Sequence, residues 1–320
     1  MSEEVIVICG EELAAYGFPG GHPFGPDRHD VFMAELAASP SYAHVLRRPS
    51  RAAARQEIEW FHTAAYVDRV MEYSEQGYGA LDAGDTPAYP GVYEAAAHVV
   101  GGALEALAAI LEGPTRKAFI PIGGLHHAAR GAAAGFCVFN DCGVAIEAAL
   151  GRYGLSNVAY VDIDAHHGDG VFYGFDDDPR VFFADVHEDG RFLYPGTGSR
   201  SETGRGEAKG TKLNVPMPPG ADDDAFLGAW DEVEAYLDEK RPELLILNCG
   251  ADSLAGDPIT HLRYSEDAHG KAAVRLRALA EDYCEGRVLG MGGGGYNRAN
   301  LARAWTRVVE GFSGAPVASA

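Results

Sequence analysis

Short apolar runs alternate with longer helical patterns through most of this chain, and that alternation constrains the fold more than any other feature. Runs at Val5 to Cys9, Ala118 to Ile122, Val158 to Ile163, Val181 to Val186, Leu244 to Asn248 and Val288 to Met291 read as strands. Between them fall helical patterns starting near Asp30 and at Arg51 to Trp60, Ala65 to Tyr73, Val92 to Leu111, Cys142 to Arg152, Asp223 to Asp238, Glu266 to Cys284 and Asn300 to Glu310. Strand followed by helix, repeated, predicts an α/β fold: a single domain with an open, mostly parallel sheet and helices on both faces. Such a sheet places its active site at the carboxyl ends of the strands. A Gly/Pro/Thr-rich passage at residues 187–220 breaks the alternation and reads as a long functional loop. The catalytic domain is expected to span residues 1–312, with a disordered end over 313–320.

Three strand ends carry chemistry-bearing residues, and a fourth carries the densest set. Residues 162–170 read Asp-Ile-Asp-Ala-His-His-Gly-Asp-Gly. Buried together, three carboxylates and two imidazoles would be costly without a cation to offset them. With alternation along a strand, Asp162, Asp164 and His166 would share one face. The other three ends are Gly123-Gly-Leu-His-His127, Cys249-Gly-Ala-Asp252 and Gly292-Gly-Gly-Gly-Tyr-Asn297.

Asp164 and His166 supply two metal ligands and Asp252 is the natural third, leaving the open position that a catalytic zinc site keeps. Zinc is the first choice; ferrous iron and manganese suit the same donors. His126 and His127 then read as an electrostatic partner and a general base, with the two spare acids, Asp162 and Asp169, to orient them. Tyr296 can donate to a substrate carbonyl and to the oxyanion it becomes. These parts predict metal-assisted hydrolysis of an amide by an activated water, with no covalent nucleophile. Cys137 and Ser253 lack an activating context and read as wall or packing residues.

A net charge of -21 argues against nucleic acid and anionic membrane surfaces as partners and suits a cationic substrate. Five cysteines without a Cys-x-x-Cys pair point to a reducing compartment, and no basic leader or span of roughly 20 apolar residues is read, so a cytoplasmic location is expected.

The motifs together resemble the zinc-dependent histone deacetylase family of the arginase-like deacetylase superfamily, in its bacterial amidohydrolase form, over Pro19 to Phe312. The segments that carry the resemblance are Gly124 to His127, Gly135 to Asp141, Asp162 to Gly170, Tyr194 to Gly198, Gly250 to Pro258 and Gly292 to Asn297. It implies zinc on Asp164, His166 and Asp252, His127 as general base and acid, His126 as its partner and Tyr296 as the polarising phenol. It further implies an acyl-lysine tunnel at Gly135 and Phe136 facing Tyr194, with Ile259 near the mouth, Asp85 as a rim aspartate and Arg28 in an inner cavity where acetate leaves. A structural potassium ion is implied on Asp162, Asp164, His166, Asp185 and Val186. Asp185 stands where many members have Ser, Tyr194 where Phe is usual and Ile259 where Leu is usual.

The expected substrates are acyl-lysine peptides, or alternatively small acetylated amines such as acetylpolyamines. A catalytically silent binding module that keeps the pocket is a remote third reading. The sequence leaves the oligomeric state open, homo-oligomers included.

Overall fold

The computed structural model describes residues 3–314. Eight strands form one sheet: β1 (Val5–Cys9), β2 (Val45–Pro49), β3 (Lys117–Ile120), β4 (Val158–Asp162), β5 (Val181–Glu188), β6 (Lys212–Met217), β7 (Leu245–Asn248) and β8 (Val288–Met291). Their order is β2-β1-β3-β8-β7-β4-β5-β6, and every pairing is parallel.

Alternation along the strands divides the core in two. Ile6 and Ile8 face a layer built on the helices Ala64–Gln76, Val92–Glu112 and Asp141–Glu147. Val5 and Val7 face the opposite layer, where Arg28–Ala38, Asp223–Lys240, Glu266–Tyr283 and Arg298–Ser313 pack through Phe32, Trp230, Leu276 and Trp305. The inner strands are buried on both faces, which is why they read as continuous apolar runs. Polar side chains close the helix starts: Asp222 accepts from Ala225 N, Ser265 from Asp267 N and Asn297 from Asn300 N.

Several expectations need correction. Residues 187–220 are not all loop, because β6 lies within them and forms one edge of the sheet. Edge strand β2 has no counterpart in the predicted elements. Of the helix expected over Arg51 to Trp60, only Arg55–Ile58 is α-helical. The helix Val92–Glu112 is long and apolar enough to cross a membrane, contrary to the reading that no segment is, yet 72% of its most apolar window is buried against the rest of the protein. Ser313 belongs to the last helix and is buried, so the disordered end does not begin there. The rest of that expectation, from 315 to 320, lies outside the described residues. All five cysteines are free and buried.

Candidate active site

β3, β8, β7 and β4 are consecutive in the sheet, so the loops leaving their carboxyl ends meet above one strip of it. These are the loops with the residues that the sequence singles out. One cavity is lined by His126, His127, Asp164, His166, Asp252 and Tyr296, together with Phe24, Leu125, Gly135 and Cys137.

Asp164, His166 and Asp252 are buried, and one donor atom from each lies within 4.8 Å of the others. His166 Nδ1 stands 3.1 Å from both Asp164 Oδ1 and Asp252 Oδ2. Backbone amides fix the carboxylates: Gly294 N donates to Asp164 Oδ2 at 2.8 Å and Ala165 N to Asp252 Oδ1 at 2.9 Å. Burial, followed by the neighbouring Asp164 charge, pushes the Asp252 carboxyl up to about 7. Burial opposes charge on His166, but the hydrogen bonds and charges of Asp164 and Asp252 outweigh it and push the imidazole up to about 10. Two buried carboxylates crowded on one imidazole fit a divalent cation, which would neutralise both.

β4 ends at Asp162, and the chain then turns. Asp162 and Asp164 both face the His126 ring, whose Nε2 lies 3.9 Å from Asp164 Oδ1. Asp162 accepts from His126 Nδ1 at 2.7 Å and from the Tyr160 hydroxyl at 2.6 Å. Asp169 accepts from His127 Nδ1, also at 2.7 Å. With both Nδ1 atoms held, the two Nε2 atoms face each other at 3.1 Å. Burial opposes charge on His126 too, yet the Asp162 and Asp164 charges push it up to about 10. His127 is lowered from its ordinary 6.5, first by burial and then by the His126 charge. The adjacent imidazoles are therefore split into one that holds a proton and one that can accept it.

Arg28 is fully buried, with Nε donating to Gly295 O at 3.0 Å and Nη2 to Gly293 O at 2.6 Å. Its guanidinium lies over Phe24, 3.9 Å from the ring centre, and Nη1 has no partner. Gly135 (φ 53°) and Phe136 (φ 67°) both take left-handed backbone, a strained conformation for a large side chain. Thr86 Oγ1 accepts from Phe136 N and the Tyr16 hydroxyl donates to Phe136 O, which holds the strained residue in place. The Phe136 ring meets Tyr296 edge-on at 5.8 Å, and Tyr194 meets His127 edge-on at 5.1 Å. Tyr194 and Ile259 are 46% and 37% exposed, as residues at a mouth would be. Asp85 is exposed; its carbonyl accepts from His22, and its hydrogen bond with Asp82, then burial, pushes its carboxyl up to about 6.

Asp162 and Asp185 are register partners on β4 and β5, with Val186 next along β5. Asp185 already accepts from His187 Nδ1 at 2.8 Å and Gly168 N at 2.9 Å.

Sequence reasoning gave no role to Asp141, Tyr160, Asn248 or His187. Asp141 accepts from Gly124 N and Leu125 N and so anchors the loop of the two histidines, while Asn248 Nδ2 donates to Asp162 Oδ2. Asp141 closes one of the recognised segments, which was the signal available for it.

Gly250 shows how tightly the ligands are packed. A Cβ there would stand 1.9 Å from Asp164 Oδ2. A Gly250→Ala variant is expected to bind divalent metal about 10–100-fold more weakly, because its methyl group would displace the Asp164 carboxylate. Competition with a coloured chelator measures this, and native affinity in the variant would count against the triad.

Comparison with known proteins shows the family. The profile described as "Histone deacetylase domain" matches residues 22–312. The chain is 36% identical to the "Acetoin utilization protein AcuC" of Bacillus subtilis (strain 168) over 316 residues, covering 95% of this chain and 80% of that protein. It is 35% identical to a "Probable deacetylase" of Archaeoglobus fulgidus, covering 91% of this chain and 81% of that protein. The crystal structure of the HDA15 HD domain superposes with a TM-score of 0.89 at 27% identity, covering 99% of this chain and 92% of that one.

Proposed function

The chain belongs to the histone deacetylase family and is a deacetylase, and from that premise we propose that it removes acyl groups from lysine side chains with zinc as its metal. The observation that carries the reading is the meeting, in one cavity, of the Asp164, His166 and Asp252 triad with the paired histidines and Tyr296. Zinc on those three ligands would polarise the amide carbonyl and acidify a water.

The chain's own residues do the rest. His127, neutral and tied through Nδ1 to Asp169, offers Nε2 to take a proton from the attacking water and return it to the leaving amine. His126, held charged by Asp162, keeps His127 in its uncharged form until that proton arrives. The Tyr296 phenol donates to the oxygen on which charge develops. Burial keeps that phenol protonated, with the Asp252 and Asp164 charges acting the same way. Cys137 is no competing nucleophile, because burial raises its thiol well above 9. Phe136 and Tyr194 would flank the aliphatic stem, with Gly135 beneath, Ile259 at the mouth and Asp85 on the rim, while Arg28 would meet the departing carboxylate. Potassium would draw on Asp162, Asp164, His166, Val186 and Asp185, the last of which already accepts from His187 Nδ1 and Gly168 N.

The net charge of -21 favours a second reading, in which the substrate is a small acetylated amine that carries further positive charge. The two are separated by kcat/KM on an acetyl-lysine peptide and on acetylated putrescine. The peptide is expected to be preferred, and a preference for the amine of about 100-fold, near 3 kcal/mol in transition-state binding, would overturn the lysine reading.

A further inference from the structure

Tyr296 follows four consecutive glycines, so the loop that aims its phenol takes little of its shape from its own side chains. We propose that Asp257 is the residue that positions Tyr296 for the reaction, by fixing the peptide from which the phenol projects. The inference rests on the deacetylase reading of the site.

Asp257 is 8% exposed and pairs with no Lys or Arg among the described residues. Its carboxylate is occupied with backbone amides. Oδ2 accepts from Tyr296 N at 2.8 Å and from Asn297 N at 3.3 Å, and Oδ1 accepts from Ile259 N at 3.1 Å. Hydrogen bonds from amides to a carboxylate are charge-assisted and stronger than neutral ones. One side chain therefore grips the phenol's own peptide and the residue at the cavity mouth.

Asp257 lies five positions after Asp252, within the same loop. The loop that supplies a metal ligand thus also sets the loop that supplies the phenol, and the two keep a fixed relation. Asn300 Nδ2 donates to Ala255 O at 3.0 Å and Asn297 Nδ2 to Gly256 O at 3.3 Å, tying the same two segments at their margins. Neither of these contacts touches the Tyr296 peptide. A phenol hydroxyl lies at the far end of its side chain, so a small rotation of that peptide carries it far, and a displacement of about 1 Å can cost about 10²-fold in rate.

The test uses the full chain loaded with zinc. Asp257→Ala and Asp257→Asn are each made in the native background and together with Tyr296→Phe. Asn keeps an oxygen for the Tyr296 amide and Ala does not. Asp257→Ala is expected to lower kcat by about 10²-fold, with KM and zinc content unchanged. Asp257→Asn should stay within about tenfold of native, the scale of one weakened hydrogen bond. In the Tyr296→Phe background, Asp257→Ala should cost no more than about twofold further, because the group it positions is already gone. An equal cost in both backgrounds, or a change confined to KM or to zinc content, overturns the proposal.

Hydrogen–deuterium exchange of the segment 290–298 provides a measure that does not depend on turnover. Asp257→Ala should exchange faster there than native protein or Asp257→Asn, and equal rates overturn the proposal. If the native enzyme releases no acetate while this exchange difference is seen, the reading of function fails and the anchoring of the Tyr296 peptide stands.

Discussion

A His127→Ala enzyme is expected to lose about 10²–10⁴ in kcat, the scale of a positioned proton-transfer group, while retaining its metal. The size follows from the geometry. His127 has no substitute in the cavity, since His126 is pushed up to about 10 and holds its proton where His127 would have to accept one. Asp169→Asn should lose less, because the imidazole remains but its Nδ1 is no longer held by a charge. The pH profile gives a second check. His127 is lowered from 6.5 and must be neutral to act, so activity should fall on acidification with a midpoint below 6.5. A His127→Ala enzyme that turned over at the native rate would remove this residue from the chemistry.

The second large effect concerns the metal. Chelation should abolish activity and lower the melting temperature, since a ligand held at about 1,000 times its Kd adds about 4 kcal/mol to the folded state. The increment should depend on pH in a direction fixed by Asp252. Its folded value, about 7, lies above the ordinary 3.8, so the metal-free protein holds this proton more tightly than the unfolded chain does. Stability from this group is complete at low pH and is lost as pH climbs from 3.8 through about 7. His166, pushed up to about 10 from 6.5, acts in the same sense at higher pH. Bound metal removes both penalties, so the gap in melting temperature between metal-loaded and metal-free protein should widen from pH 5 to pH 8. Asp252→Asn should abolish turnover yet stabilise the metal-free protein at pH 8 by about 1–3 kcal/mol, the scale of one uncompensated buried group. A gap that narrowed with pH, or an Asp252→Asn protein no more stable than metal-free native protein, would argue against the triad as the cation site.

The inner strands were legible because a parallel strand covered on both faces must be apolar throughout, as Val288 to Met291 and Val158 to Val161 are. The edges were not. β2 reads Val-Leu-Arg-Arg-Pro and β6 reads Lys-Leu-Asn-Val-Pro-Met, and an edge strand can tolerate such charges and prolines because it pairs on one side only. In the site, the matching of two spare acids to two imidazoles could be read by counting, because each residue type declares its chemistry. What Asp141, Asn248 and Asp257 do could not be read that way. Their partners are amides or side chains on other loops, which only the folded chain brings near.

The position of β8 bears on how the protein can be made. It is the last of the described strands in chain order, yet it lies between β3 and β7 and joins β2-β1-β3 to β7-β4-β5-β6. Until residues 288–291 have left the ribosome, the nascent chain can hold only two half-sheets, with the paired histidines on one and the Asp164, His166 and Asp252 triad on the other. Both halves must wait with open inner edges, the sort of surface to which chaperones bind. The site's loops can thus come together only once β8 has joined the two halves, and a chain cut short before Val288 has no assembled centre.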